Sequence, residues 1–281
     1  MSRSDPPFRT VDLTPNIATE VVTDIDTLLA GAIAGELRAL LERRSVLLFR
    51  GLEMTDEQQV LFARTLGTPR REFGGDIVKI SADEAQSPVF AEYAKVSCFF
   101  HFDDAFTATP ALASMLRARV VAPEGGQTEF ANCYAIYDGL PEADRRCFDT
   151  LQVMHSRETL RRKAFPDPTE AQLAAWGEAA LPPIAHPLVW QHRSGRKSLL
   201  LGDAMSRVVG LEQAESDALI ARLQALTSRP DYVYRHDWRI GDVLIWDNTG
   251  TVHRVLPFDL TCGRELNRIK LAGEEPIAAP A

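Results

Sequence analysis

The sequence has 281 residues, 45% of them hydrophobic and 25% charged, an ordinary globular balance with enough apolar material for a sizeable core. A net charge of −8 and a pI near 5.3 argue against a nucleic-acid-binding surface, which usually carries a basic stripe, and favour a small-molecule partner. Cys98, Cys133, Cys147 and Cys262 lie far apart without a Cys-x-x-Cys pair, so neither a zinc cluster nor a disulfide framework is expected, only reduced and mostly buried thiols.

The opening "MSRSDPPF" is polar with no apolar run behind it, and no stretch reaches membrane-spanning length, so a soluble cytoplasmic protein is expected. There is no repeat, low-complexity segment or dividing linker, and residues 1–281 are read as one domain. In chain order, "DIDTLLAGAIAGELRALLERR" (24–44) has apolar residues at helical spacing and a basic last turn. "SVLLFRG" (45–51) reads as a buried strand. "TDEQQVLFARTLG" (55–67) reads as a short helix, with an N-cap Thr, acids in the first turn and a terminal Gly. From residue 94 onward, strand-like runs dominate: "KVSCFF", "ASMLRARVV", "HPLVWQH", "KSLLLG", "DYVYRHDW" and "GDVLIWDN". Helices are expected near "LPEADRRCFDTL", "TEAQLAAWGEAA" and "EQAESDALIARLQAL". Many short strands with Gly and Pro turns predict a sandwich or jelly roll with helices packed outside.

Two segments carry chemistry. In "HFDDAF" (101–106), read as extended chain, His101 and Asp103 share one face while Phe102 and Asp104 take the other. An imidazole and a carboxylate then converge as in a 2-His-1-carboxylate facial triad. "GDVLIWDNTGTVHRV" (241–255) supplies the second histidine, with an apolar strand, a turn and a returning segment that form a hairpin aiming His253 inward. His155, His186, His192 and His236 lack such surroundings and read as structural or surface residues. If "RELNR" (264–268) is a strand, Arg264, Leu266 and Arg268 share a face, and two inward guanidinium groups require anionic ligands.

With these residues in place the chain resembles the taurine dioxygenase and aryloxyalkanoate dioxygenase family of Fe(II)/2-oxoglutarate enzymes. The likeness covers nearly the whole chain and includes "GGQTEFANCYAIYDGLP" (125–141) and "HPLVWQHRSGRKSLLLG" (186–202). It implies an α+β fold with a double-stranded β-helix (jelly-roll) core and flanking helices, like that of clavaminate synthase. It also implies Fe(II) on His101, Asp103 and His253, and 2-oxoglutarate and O2 as co-substrates. By the same resemblance Thr128 and Arg264 meet the distal carboxylate of 2-oxoglutarate, and Trp246 lines its pocket. Arg268 is expected to touch the substrate's anion or the co-substrate, with Phe102, Asp104 and Phe106 beside the substrate. The implied reaction is hydroxylation of a small anionic organic molecule with release of succinate and CO2. A Zn or Mn isomerase or hydrolase on a jelly roll, or a catalytically silent ligand-binding protein, are the alternatives. The expected partner is a small molecule, without nucleic acid or membrane, and a homo-oligomer stays open. Two departures bear on the substrate. Phe100 stands where many relatives have tryptophan, and "GTPRREF" (67–73) offers Arg70, Arg71 and Glu72 but no sulfonate-binding histidine, so taurine is expected to be a poor substrate.

Overall fold

The structure is a computed structural model and describes residues 7–81, 94–178 and 181–280. Its main element is an eight-stranded sheet. The path runs Arg9–Asp12, Thr19–Val22, Val46–Phe49, Val243–Asp247, Ala113–Val120, Glu265–Leu271 and Pro69–Arg70, and Val78–Ser81 also pairs with Glu265–Leu271. All these pairings are antiparallel except the one between Thr19–Val22 and Val46–Phe49. A second sheet has three strands, with Thr128–Asn132 between Val233–His236 and Thr251–Val255. Two smaller sheets contain Gln152–His155 between Met205–Val208 and Ile184–Pro187, and the pair Val189–Gln191 with Lys197–Leu199.

Alternation along the central strands explains how the large sheet is buried on both faces. Val243 and Ile245 pack with Leu47, Phe49, Met115 and the helices Ala34–Arg44 and Asp56–Leu66. Leu244 and Trp246 point the other way and pack with Val46, Leu116 and Leu266, and with Phe130 and Tyr234 of the three-stranded sheet. The space between these two sheets holds the candidate site. A third apolar cluster, around Trp190, Phe102, Ala131 and Val252, lies on the far face of the three-stranded sheet.

Several expectations hold and several need correction. The helix over 55–67 is present as Asp56–Leu66 with a full Thr55–Gln58 capping box. The helix over 24–44 is instead two, Ile25–Ala30 and Ala34–Arg44, because Gly31 takes a left-handed φ of +71° and ends the first. "KVSCFF" forms no strand: Cys98 and Phe99 N–H groups donate back to the Lys95 and Val96 carbonyls in a tight turn. "HPLVWQH" is split between two sheets at Leu188, whose N–H donates to Leu151 O. The end of "TEAQLAAWGEAA", residues 179–180, lies outside the described residues; the helix before it is Glu170–Glu178. All four cysteines are free, but only Cys133 is buried and Cys147 is exposed. His155, His186, His192 and His236 are all buried, so none is a surface residue.

The expected hairpin around residues 247–251 is not one. Both edges of Val243–Asp247 are already taken, by Val46–Phe49 and by Ala113–Val120, so the strand Thr251–Val255 crosses over and pairs with Thr128–Asn132 in the other sheet. The crossing runs hard against Tyr134, whose ring would lie 1.8 Å from a Cβ placed on Gly250. No helix among the described residues is long and apolar enough to cross a membrane.

Candidate active site

"HFDDAF" reaches its geometry by a different local route from the strand expected. His101 forms a single antiparallel bridge with His253, each backbone N–H donating to the other's carbonyl at 3.0 and 2.8 Å. Directly opposed residues present their side chains on one face, so the two imidazoles meet with ring centroids 4.3 Å apart. After Phe102 the chain turns, and Asp103 is brought back by Asn248 rather than by strand alternation. The Asp103 N–H donates to Asn248 Oδ1 at 2.7 Å, while Asn248 Nδ2 donates to the Asp103 and Ala111 carbonyls at 2.9 and 3.0 Å. Asp104 then adopts a left-handed φ of +63°, a conformation that aspartate tolerates better than most residues.

His101, Asp103 and His253 each offer a ligand atom, all within 4.8 Å of one another. The donor set suits a divalent iron with one face of its coordination sphere left open. His101 Nδ1 lies 2.8 Å from the Phe99 carbonyl, an acceptor only, so Nδ1 carries the proton and Nε2 keeps its lone pair for a metal. Burial lowers the basicity of His101, and with the neighbouring His101 it pushes His253 well below the ordinary histidine value, so both stay neutral ligands. Burial would raise the Asp103 carboxyl, but the Lys270 and Arg268 charges hold it well below the usual carboxylate range. Ser114 Oγ donates to Asp103 Oδ2 at 2.6 Å, and Lys270 Nζ lies 3.3 Å from Oδ1.

Near the cluster lie a buried aromatic ring, Trp246, and a buried cation, Arg264. Trp246 is buried beside His253, with centroids 4.6 Å apart, and its Nε1 has no partner among the described residues. Arg264 precedes the strand Glu265–Leu271 and donates to the Gly126 carbonyl at 3.3 Å, beneath the Phe258 ring. No carboxylate among the described residues pairs with it, and burial brings its pKa down only to about 10, so an uncompensated charge remains. Thr128 Oγ1 accepts from Trp238 Nε1 at 2.9 Å, which leaves its hydroxyl proton available to an anionic oxygen. A buried fork-shaped cation without a counter-ion fits a dicarboxylate co-substrate.

At the opposite end of the same strand face lies a cluster of charges. Arg268 Nη2 donates to Glu72 Oε2 at 3.1 Å, and Lys270 Nζ lies 3.2 Å from Asp104 Oδ1 and 3.6 Å from Glu72 Oε1. Arg70 completes it, 2.8 Å from Asp104 and 3.1 Å from Glu72. Lys270, Glu72 and Asn248 were not foreseen as site residues. Lys270 had a signal, since it continues the parity of Arg264, Leu266 and Arg268. Asn248 and Glu72 had none, because each acts through a tertiary contact. Phe102 is buried against His155, and Phe106 is half-buried beneath Arg157, so both belong to the third apolar cluster. A separate hollow of about 680 Å³, lined by Leu52, Met54, Asp56, Arg117 and Ile240, contains none of these groups.

The sequence matches the family described as taurine catabolism dioxygenase TauD, TfdA family over residues 9–270. The alpha-ketoglutarate-dependent 2,4-dichlorophenoxyacetate dioxygenase of Burkholderia sp. (strain RASC) is 32% identical over 290 residues, covering 92% of this chain and 94% of that protein. The alpha-ketoglutarate-dependent sulfate ester dioxygenase of Pseudomonas putida is 33% identical over 259 residues, covering 89% and 84%. The solved structure of AAD-2 with Mn(II) and N-oxalylglycine superposes with a TM-score of 0.80 at 28% identity, covering 96% of this chain and 99% of that one. A strand-rich mixed α/β fold, a His-Asp-His cluster and a family match over nearly the full length agree, and the chain belongs to the TauD, TfdA family of Fe(II)- and 2-oxoglutarate-dependent dioxygenases.

Proposed function

We propose that this single-domain chain hydroxylates a small organic anion, such as an aryl or alkyl carboxylate or a sulfate ester, at a site between two sheets of a double-stranded β-helix. His101, Asp103 and His253 hold Fe(II) in this reading. The observation that carries it is the pairing of that cluster with a buried arginine, Arg264, that has no carboxylate partner among the described residues. Bound there, iron would supply the coupling of O2 reduction to oxidative decarboxylation of 2-oxoglutarate, with succinate and CO2 released.

The residues of the chain do the remaining work. Arg264 grips the distal carboxylate of 2-oxoglutarate, with the Thr128 hydroxyl donating to it, while Trp246 and Phe130 exclude water from one side. Trp238 fixes the Thr128 rotamer through its indole N–H. Lys270 and Ser114 hold Asp103 deprotonated and aimed at the metal. Arg268 takes the anionic group of the substrate, and Asp104 ties Lys270 and Arg70 beside it. An orienting site of this kind is the protein's main contribution when the cofactor carries the chemistry.

The test is a panel of phenoxyacetate, hexyl sulfate, hexanoate and taurine with Fe(II) and 2-oxoglutarate, scored by succinate and hydroxylated product. A carboxylate or sulfate ester should give the highest kcat/KM. A panel led by taurine would overturn the substrate class.

A further inference from the structure

The guanidinium proposed as the substrate's anchor already has a carboxylate on it. Glu72 accepts from Arg268 Nη2 at 3.1 Å, while Arg268 Nε is buried with no partner among the described residues, so part of the fork is unused. Glu72 is not on a loose arm. Its backbone N–H and C=O pair with Gly75 at 2.9 and 3.1 Å across a turn in which Phe73 and Gly74 take φ of +51° and +86°, the two positive values of a type I′ turn. That turn holds the carboxylate among Arg70, Arg268 and Lys270.

Charge counting makes the consequence definite. Arg70, Arg268 and Lys270 face Glu72, Asp103 and Asp104, so the described side chains of the metal-free cluster balance. An added anion beside Glu72 meets a like charge in a half-buried place as long as Glu72 stays on Arg268. We propose that Glu72 is the specificity-determining residue of this site, an internal carboxylate that occupies Arg268 until the anionic group of the substrate replaces it. This rests on the reading of Arg268 as the substrate anchor. A carboxylate or sulfate offers the arginine two strong acceptor oxygens and can compete with Glu72. A neutral amide or ester of the same shape cannot, so the exchange selects for a full negative charge.

The experiment is calorimetric titration of Mn(II)-loaded protein, with and without N-oxalylglycine, using phenoxyacetate and its neutral amide as probes. Wild type, Glu72→Gln, Arg268→Gln and the double variant are compared. Glu72→Gln should bind phenoxyacetate at least tenfold tighter than wild type, about 1.4 kcal/mol, and should bind the amide tighter by a larger factor, so that the preference for the anion narrows, because no carboxylate then has to be displaced from Arg268. In the Arg268→Gln background the same change should bring no gain. Equal or weaker binding of phenoxyacetate by Glu72→Gln, including no binding by either protein, overturns the proposal, because a carboxylate that merely positions Arg268 gives that result. A gain of equal size in both backgrounds overturns it too. Failure of the co-substrate reading has a separate signature: N-oxalylglycine would bind none of the four proteins, whatever phenoxyacetate does.

Discussion

Asn248 holds Asp103 by both polar groups of its backbone, accepting from the N–H at 2.7 Å and donating to the carbonyl at 2.9 Å, and a third bond at 3.0 Å ties the same amide to Ala111. The carboxylate of the triad is therefore positioned by the crossover between the sheets, where Asn248 sits one residue after Asp247 at the end of a central strand. Asn248→Ala leaves a buried N–H and two carbonyls unsatisfied, at a cost of about 1–3 kcal/mol. The expected outcome is a lower melting temperature together with weaker Fe(II) binding, read by thermal melts and metal titration. A variant with wild-type metal affinity would show that Asp103 is aimed by other contacts.

The role proposed for Arg264, anchoring the co-substrate, is tested by Arg264→Ala. Loss of a charge-assisted bidentate contact of about 1.5–3 kcal/mol should raise the KM for 2-oxoglutarate by roughly 10- to 100-fold. Fe(II) binding should hardly change, since Arg264 is not among the clustered ligand atoms. Steady-state kinetics with varied 2-oxoglutarate and a metal titration separate the two effects.

Acid stability should depend on His155. Burial pushes its pKa down to about 3, with a smaller contribution from His186, and neither ring nitrogen has a hydrogen-bond partner among the described residues. Between that value and the ordinary histidine range the unfolded chain binds a proton that the folded chain does not, so stability is lost as pH falls from about 6.5 toward 3. The loss approaches about 1.4 kcal/mol per pH unit at most. His155→Leu should flatten this slope and cost little near neutrality, because it also removes two unsatisfied buried nitrogens. Denaturant melts from pH 7 to 4 provide the comparison; an unchanged slope in the variant would assign the acid sensitivity elsewhere.

Gly250 is the point of closest approach in the crossover. Alanine there would place its Cβ 1.8 Å from the Tyr134 ring, and Tyr134 cannot swing aside because its hydroxyl binds Asp247 and Thr249. Gly250→Ala should destabilise by at least about 1–3 kcal/mol, the usual range for overpacking. Tyr134→Phe/Gly250→Ala, which frees the ring, should recover part of the loss in a thermal melt.

Much of the site was legible because its chemistry is local in sequence. His101 and Asp103 are two residues apart, and Arg264 and Arg268 are on one strand parity that also carries Lys270. The partner His253 was legible through its segment, but its placement was not: a hairpin was the simplest reading of a strand, a turn and a second strand. The pairing actually used depends on both edges of Val243–Asp247 being occupied by strands from residues 46–49 and 113–120, which no local pattern reveals. The same holds for Glu72. Its partners Arg268 and Lys270 are nearly 200 residues away, a separation of 196 positions for Arg268, so only the fold brings them together. Gly31 could have been read as a helix stop, but the apolar spacing continues on both sides of it and hid the break.

The central claim is that the His101–Asp103–His253 cluster and Arg264 together hold Fe(II) and 2-oxoglutarate. It is tested most directly by anaerobic titration of the metal-free protein with Fe(II) and 2-oxoglutarate while the weak visible charge-transfer absorption of the chelate is followed. Wild type should develop the band at stoichiometric iron. His253→Ala should not develop it, and Arg264→Ala should require roughly 10- to 100-fold more 2-oxoglutarate to reach it. A wild-type protein with no band, or a His253→Ala protein with an undiminished one, would contradict the account.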